Sequence, residues 1–315
     1  MARVATTDAA VEPTAWWSAL PLLALLCLFA FAATAFDAVL AARAAGRSTR
    51  SAALEPLRTV TGLLVQQRRR TLAADGLLWR GAGLVLLVAA VLASGVTPLG
   101  RWAVADLDVG VVWFNAMEIV AWAAVWLAGW GPNSAFSLVG GYRFVAQGLA
   151  YELPHMFALT TVAIGAGSLR VADIAGAQRG LWFVVWMPVA FLGYLVSVLA
   201  MSFSRPFDQA TGSDLAGGAG AELSGVDRLV FLAGRQVLLV SGAAMAVPLF
   251  LGGGAGPLLP DWSWSLVKTA AVLALLVLAG RRMPTVRVER FMEVAWMVLI
   301  PATLLQALFV SIVVS

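Results

Sequence analysis

The 315-residue sequence has very few side chains that bind metals or form cross-links. It contains one cysteine, Cys27, and one histidine, His155. A single cysteine cannot form an intrachain disulfide, and one cysteine with one histidine cannot supply the ligands of a zinc site or an iron–sulfur cluster. We therefore expect no metal in this chain. The glycine runs at 217–220 and 252–256 lack the strand–turn–helix context of a phosphate-binding loop, which excludes a nucleotide site of that kind.

Charged side chains are also scarce. They make up 12% of the residues, whereas typical globular proteins have about 25%. Hydrophobic residues make up 61%, more than a soluble chain of this length could bury, so the sequence predicts an integral membrane protein. The basic residues are twenty arginines and one lysine, and they flank apolar segments instead of forming one basic face. This distribution argues against nucleic-acid binding and is typical of membrane topology signals.

Eight apolar segments approach or exceed the ~20 residues that a membrane-spanning helix needs. The predicted fold is therefore all-α: a polytopic membrane protein with eight transmembrane helices, forming a single domain over residues 1–315. We expect residues 1–14 to be a loose polar tail. The predicted spans are residues 16–41, 77–96, 109–130, 144–168, 181–203, 229–251, 264–279 and 291–314.

The segment between the first two spans, residues 42–76, is the most basic part of the chain. Within it, apolar residues recur at steps of three and four, which is the period of one helix face. This pattern predicts an amphipathic helix that lies on the membrane surface or on a partner protein. The apolar positions are Leu54, Leu57, Val60, Leu63 and Leu64.

The distribution of arginine predicts the orientation of the chain in the membrane. Most basic residues fall in alternate loops, at residues 42–80, 132–143, 204–228 and 280–290. The opposite loops and the N-terminal tail hold only Arg3, Arg101, Arg170 and Arg179. Because basic residues collect on the cytoplasmic side, we expect both termini outside and the 204–227 loop inside.

The candidate carboxylates inside the membrane are Asp37, Glu118 and Glu152. A carboxylate at the bilayer centre costs ~2.5–3.5 kcal/mol on insertion scales, so it usually has a function there. The alternative is an acid near a span end that reaches interfacial water, and for Asp37 the nearby Arg43 favours that interpretation. Glu152 has His155 three residues later on the same helix face, so the pair could share a proton near neutral pH. A purely structural histidine is the alternative.

Residues 204–227, the central loop, form the longest polar interruption in the second half of the chain. Loops of this length with little periodicity are usually functional or disordered. Acidic and basic side chains alternate here with glycine, which makes the loop a candidate docking surface. Its charged residues are Arg205, Asp208, Asp214, Glu222 and Asp227.

Three motifs carry a family resemblance. They are "RPFD…SDLAGG…AELSG" in the central loop, "GWGPNSAFSLVGGYRFVAQGLAYELP" at residues 129–154 and "RRMPTVRVERFM" at residues 281–292. Together the sequence resembles, over roughly residues 100–310, the H subunit of bacterial NADH-quinone oxidoreductase (respiratory complex I). The resemblance implies a divergent, non-redox membrane subunit of such a translocase in a bacterial plasma membrane. Its partners would be the other subunits, the lipid bilayer, and quinone as a shared substrate.

The resemblance also implies roles for the candidate residues. Proton transfer or coupling would use Glu118, Glu152, His155, Asp214 and Glu222, and Glu152 matches the Tyr-Glu pair that the family has on its fourth helix. Quinone-chamber lining or docking would use Asp37, Arg205 and Asp208. For Arg205, a simple positive-inside anchor remains the alternative to contact with a quinone head group or a partner carboxylate.

The sequence departs from the family pattern at several acidic positions. Met201, Ser202 and Phe203 replace an acid expected just before the central loop, and Gly234 and Arg235 stand where the family has an acid and an aromatic residue. These departures leave two further interpretations open. One is a membrane anchor in a related membrane-bound hydrogenase or formate-hydrogenlyase complex. The other is a structural anchor in which the proton path is lost.

The arginine distribution gives a direct test of orientation. A topology reporter fused after Ser315 should read outside, and one inserted at Gly218 should read inside, because the loops on Gly218's side hold most of the arginines. Alkaline phosphatase and fluorescent-protein fusions report the two sides. An inside signal from the C-terminal fusion would show that the number of spans is wrong, with the region of residues 140–168 the first to re-examine.

Overall fold

A computed structural model describes residues 11–314, and these residues are mostly helical. The predicted polar tail therefore lies largely outside the described residues. Two short strands, β1 (Glu12–Pro13) and β2 (Trp102–Ala103), pair in parallel at one end of the helical bundle. The α-helices are α1 (Ala19–Ala44), α2 (Thr49–Ala53), α3 (Glu55–Val65), α4 (Gly76–Ser94), α5 (Gly110–Trp130), α6 (Ala135–Ala166), α7 (Val171–Ala177), α8 (Phe183–Trp186), α9 (Pro188–Met201), α10 (Gly225–Phe250), α11 (Asp261–Arg282), α12 (Val288–Val294) and α13 (Ile300–Val314).

Six helical units are long and apolar enough to cross a membrane, which confirms the predicted all-α membrane character. The first includes a 3₁₀ turn before α1, and the last joins α12 to α13 through a π-helical segment, Ala295–Leu299. The pair α6 and α7, bent by 63°, makes a seventh if it is counted as one span. The six units are Trp16–Ala44, Gly76–Ser94, Gly110–Trp130, Gly225–Phe250, Asp261–Arg282 and Val288–Val314.

The predicted fourth and fifth spans have different limits in the structure. The fourth begins at Ala135 instead of residue 144, and its first turns pack against the central loop through Gly140. The fifth, predicted as one segment over residues 181–203, is divided into α8 and α9. Pro188 stands at the first turn of α9, where proline is favoured, and it disfavours helical backbone in the residue before it.

α10 lies at the centre of the bundle and α1 at its edge. In the apolar part of α10, 67% of the residues are buried inside the chain, against 17% for α1 and for the final unit. Gly234 allows α10 to approach α4 closely, since a Cβ there would lie 2.9 Å from the Leu87 nitrogen. Close backbone packing thus explains why this position carries no acidic side chain.

The predicted amphipathic helix is present as α3, Glu55–Val65, with Pro56 in its first turn. Leu63 is buried against the bundle, whereas Leu57 and Leu64 are exposed. The apolar face thus continues beyond the surface that the chain itself covers.

The central loop is ordered and lies flat against α6. It contains three short 3₁₀ turns, Gln209–Thr211, Ser213–Leu215 and Gly218–Gly220. Ala210 and Ala219 have no exposed surface. A Cβ at Gly140 of α6 would overlap the loop backbone at residues 218–219, so a glycine is required for this contact. The loop is therefore a docked surface feature and not a disordered linker.

Candidate functional site

A polar cluster lies inside the bundle where α5 and α6 meet. α5 contributes Asn115 and Glu118, and α6 contributes Glu152 and His155, each pair three residues apart and therefore on one helix face. We call these four residues the polar cluster. Glu118 and His155 are buried, and Asn115 and Glu152 are partly buried. The structure thus brings together three of the acids and bases predicted from sequence.

The centre of the polar cluster is a contact between Glu118 and His155. The imidazole Nε2 lies 2.8 Å from Glu118 Oε2, and neither side chain has exposed surface. Tyr194 stacks on the imidazole at 5.1 Å between ring centroids, and Phe114 lies at 6.2 Å. The Tyr194 hydroxyl donates a hydrogen bond of 2.8 Å to the Gly242 carbonyl of α10. Aromatic rings therefore hold the imidazole in place and separate the pair from lipid.

Glu152 has a different partner from the one that its sequence position suggests. We predicted that it pairs with His155 one turn along α6. The structure places His155 against Glu118 of the neighbouring helix, and Glu152 Oε1 accepts a hydrogen bond of 3.2 Å from Asn115 Nδ2. The imidazole reaches across the helix interface to Glu118, which is more deeply buried than Glu152 and therefore has a greater need of a polar partner.

Several atoms of the polar cluster have unused hydrogen-bonding capacity. Within residues 11–314, both oxygens of Glu118, both ring nitrogens of His155 and Oδ1 of Asn115 have no well-aligned hydrogen-bond partner. The Glu118–His155 contact is thus close in distance but poorly aligned. Buried polar groups normally bond to protein or to ordered water. The cluster therefore has the chemistry to bind water and to exchange a proton.

Two acids of the central loop, Asp214 and Glu222, bind residues at the start of α6. Asp214 Oδ2 lies 2.6 Å from Arg143 Nη1, and the Ser134 hydroxyl donates a hydrogen bond of 2.8 Å to Glu222 Oε1. Neither acid contacts the polar cluster. The structure therefore separates the predicted coupling acids into two groups. Glu118 and Glu152 lie inside the bundle, and Asp214 and Glu222 lie at its surface. Both groups include a contact with α6 or its first residues.

A cavity of about 500 Å³ lies between α1, α3 and α10. Its walls are mostly apolar and include Ala38 of α1, Leu63 of α3 and Val237 of α10. Asp37 and Arg281 add charge to its lining. The amphipathic helix thus covers a pocket whose lining suits an apolar chain.

A second cavity of about 300 Å³ lies between α1, α10, α11 and the start of the central loop. It shares four lining residues with the larger cavity, so the two adjoin; the shared residues are Thr34, Asp37, Gln236 and Arg281. Nε and Nη2 of Arg281 bind the two carboxylate oxygens of Asp37. This ion pair, and not one with the nearby Arg43, is the contact that the structure gives Asp37.

The predicted residues Arg205 and Asp208 line the smaller cavity. Their side chains form an ion pair of 3.4 Å, three residues apart in the chain. The structure therefore brings together Asp37, Arg205 and Asp208, the three residues predicted to line a chamber, and adds Arg235 and Arg281.

Sequence reasoning overlooked Asn115, Tyr194, Arg143 and Arg281 as members of these sites. Asn115 carried a usable signal, because it precedes Glu118 by the same three-residue step that separates Glu152 from His155. Arg281 stands in a basic segment that otherwise indicates only membrane orientation. No local pattern distinguishes Tyr194, because it is surrounded by hydrophobic residues in a predicted span.

Comparison with known proteins identifies relatives over most of the chain. A family model described as NADH dehydrogenase matches residues 17–311. An NADH-quinone oxidoreductase H subunit of Geobacter sulfurreducens, the one numbered 2, is 36% identical over 267 residues, which is 81% of each chain. The corresponding H subunit of Geobacter metallireducens, the one numbered 1, is 34% identical over the same extent. The H subunit of Carboxydothermus hydrogenoformans is 35% identical over 215 residues, covering 66% of this chain and 61% of that relative.

Non-additive stability changes should reveal the Glu118–His155 contact. Replacing either residue with leucine leaves the other buried without its partner, and breaking such a pair costs ~3–5 kcal/mol. The double variant Glu118→Leu/His155→Leu should lose far less than the sum, because an apolar pair needs no partner. Unfolding of the purified chain in mixed micelles measures the free energies. Thr160→Leu, on the exposed face of α6, is the control, and additive losses would contradict the pairing.

Proposed function

Because the chain belongs to the NADH dehydrogenase family, whose relatives named above are H subunits, we propose that it is the H-type membrane subunit of a complex I-like NADH-quinone oxidoreductase. It lines the quinone chamber where the membrane arm meets the peripheral arm, and it contributes to coupling quinone reduction to proton translocation. In this role the chain is a non-redox subunit. Electron transfer belongs to partner subunits.

In this role the chain crosses a bacterial plasma membrane eight times. The bent pair α6–α7 supplies the fourth crossing, and α8 with the 14-residue helix α9 supplies the fifth. Both termini lie outside, and α3 lies at the cytoplasmic interface. The arginine distribution supports this orientation, since it places the central loop and its docking acids on the side from which a peripheral arm approaches.

The two adjoining cavities carry the proposal. A quinone has an apolar tail and a polar head group. The two cavities match these parts, because one has mostly apolar walls and the other has charged groups. The larger has mostly apolar walls and lies under α3, and the smaller has charged groups on α1, α10, α11 and the central loop. The Asp37–Arg281 ion pair stands where they join. A quinone that passes between them meets this pair before it reaches the peripheral arm.

The polar cluster supports the coupling role. It places two carboxylates and an imidazole inside the bundle, where ionisable groups are costly and are usually functional. Its unpartnered oxygen and nitrogen atoms are suited to proton exchange with water. α6 connects this cluster to the central loop, because the same helix carries His155 and the loop-binding Arg143.

Blocking the larger cavity tests the quinone role. Ala38 lines this cavity, whereas Ala32, on the same helix, is exposed and does not. Ala38→Trp should lower the quinone reductase activity of the assembled complex by ~tenfold or more, since it removes the path of the tail. Ala32→Trp should leave activity unchanged. Full activity of an Ala38→Trp complex that assembles normally would contradict the assignment of the cavity.

Neutralising Glu152 tests the coupling role. Glu152→Gln keeps the size and the contact with Asn115 but removes the ionisable group, so the subunit should still insert and assemble. We expect loss of proton pumping and a large fall in quinone turnover. Membrane vesicles containing a pH-sensitive dye measure pumping. If the chain were only a structural anchor, the variant would pump at the rate of the unmodified complex.

A further inference from the structure

Arg235 gives the smaller cavity an excess of positive charge. The charged residues that line this cavity are three arginines and two aspartates: Arg205, Arg235, Arg281, Asp37 and Asp208. Arginine stays protonated at physiological pH even when it is partly buried. Two of the three arginines form an ion pair with one aspartate each, so one arginine of this cavity has no aspartate partner.

The remaining cation is that of Arg235. Asp37 is bound by Arg281, and Asp208 forms its ion pair with Arg205. In the described part of the chain, no carboxylate oxygen lies within 4.0 Å of the Arg235 guanidinium. Asp208, Asp37 and Arg205 act on it only as more distant charges.

The guanidinium of Arg235 is fixed in orientation by the end of α9. Nε donates a hydrogen bond of 3.3 Å to the Ser202 carbonyl, and Nη2 donates one of 2.6 Å to the Phe203 carbonyl. The centre of the guanidinium lies 4.8 Å from the centroid of the Phe203 ring. Phe203 itself is fully buried between Phe144 and Phe231. The guanidinium is therefore held in place on a rigid aromatic support before any ligand binds.

Arg235 retains donor capacity after these contacts. A guanidinium has five N–H groups, and the two backbone carbonyls engage only part of them. Hydrogen bonds from such a group to an oxyanion are about twice as strong as neutral ones. A preorganised cation at the charged end of a pair of cavities, with an apolar end opposite, suits an oxyanion at the end of an apolar tail.

We propose that Arg235 is a specificity-determining residue that binds a negatively charged oxygen of the ligand head group in the smaller cavity. This inference rests on the proposed function, which supplies a quinone as the occupant. The ligand class is a quinone whose head group carries an ionised hydroxyl. An anionic lipid phosphate has the same chemistry and is the other source of such an oxygen.

Competition against a photoreactive quinone tests this assignment in membranes that contain the assembled complex. The label is an azidoquinone, and the competitors are a 3-alkyl-2-hydroxy-1,4-naphthoquinone, anionic at neutral pH, and its analogue without the hydroxyl. For the unmodified chain, the anionic compound should compete at ~tenfold lower concentration, the size of one charge-assisted hydrogen bond. Arg235→Gln should abolish this preference.

Two further variants complete the design. Arg282→Gln removes an arginine at the exposed end of α11 that does not line the cavity, and it should keep the full preference. Arg235→Lys keeps the charge but loses the planar fork, so the preference should fall severalfold. This variant provides the measurement if Arg235→Gln fails to assemble, and an unchanged preference in it would overturn the inference.

The remaining outcomes separate this inference from the function on which it rests. Labelling of the chain with equal preference in the unmodified and Arg235→Gln proteins overturns the role of Arg235 and leaves the quinone role standing. No labelling of the unmodified chain overturns both. In proteoliposomes, phosphatidylglycerol should not affect competition. If it weakens competition in the unmodified protein but not in Arg235→Gln, the site binds lipid phosphate and the quinone assignment is wrong.

Discussion

A charge removed from water must find a partner, and this requirement organises the interior of the chain. Glu118 meets His155 across the α5–α6 interface, and Asp37 meets Arg281 across the α1–α11 interface. Lys268 of α11 donates to the three carbonyls of residues 251, 253 and 255, all at 2.7–2.8 Å, at the end of α10. Each partner lies on a different segment of the chain. Electrostatic pairing therefore fixes which helices face each other, while apolar area decides only that they are buried.

Close packing sets the second constraint. Without a hydrophobic driving force between helices in lipid, association depends on small residues that let backbones approach. Gly234 lets α10 contact α4, and Gly140 lets the central loop contact α6. At Gly234 this closeness excludes the acid that the family resemblance predicts there. The next residue, Arg235, then supplies a charge of opposite sign on the cavity side. Packing and electrostatics at this turn of α10 are therefore linked.

The sequence predicts the fold well wherever a local pattern determines it. Apolar length located the helices, and the three- and four-residue steps located α3, Glu55–Val65, because burial in a membrane requires both features. The division before Pro188 was missed, since its neighbours are as apolar as the rest of the span. Ion pairs between distant helices could not be predicted from the sequence. Asp37 and Arg281, for example, lie 244 positions apart, and no local pattern relates them. The candidate acids were therefore identified, but their partners came only from the tertiary structure.

α6 is a long helix with a proline, Pro154, in its interior. Its N-terminal part carries Arg143, which binds the central loop, and His155 lies twelve positions further on, ~18 Å along the axis. Pro154 stands directly before His155 inside this helix, where its ring removes one backbone hydrogen bond and favours bending. A push on the loop by a docked partner would tilt the first half of α6 about Pro154. Because Pro154 is the neighbour of His155, such a tilt would also displace the buried imidazole and change its contact with Glu118.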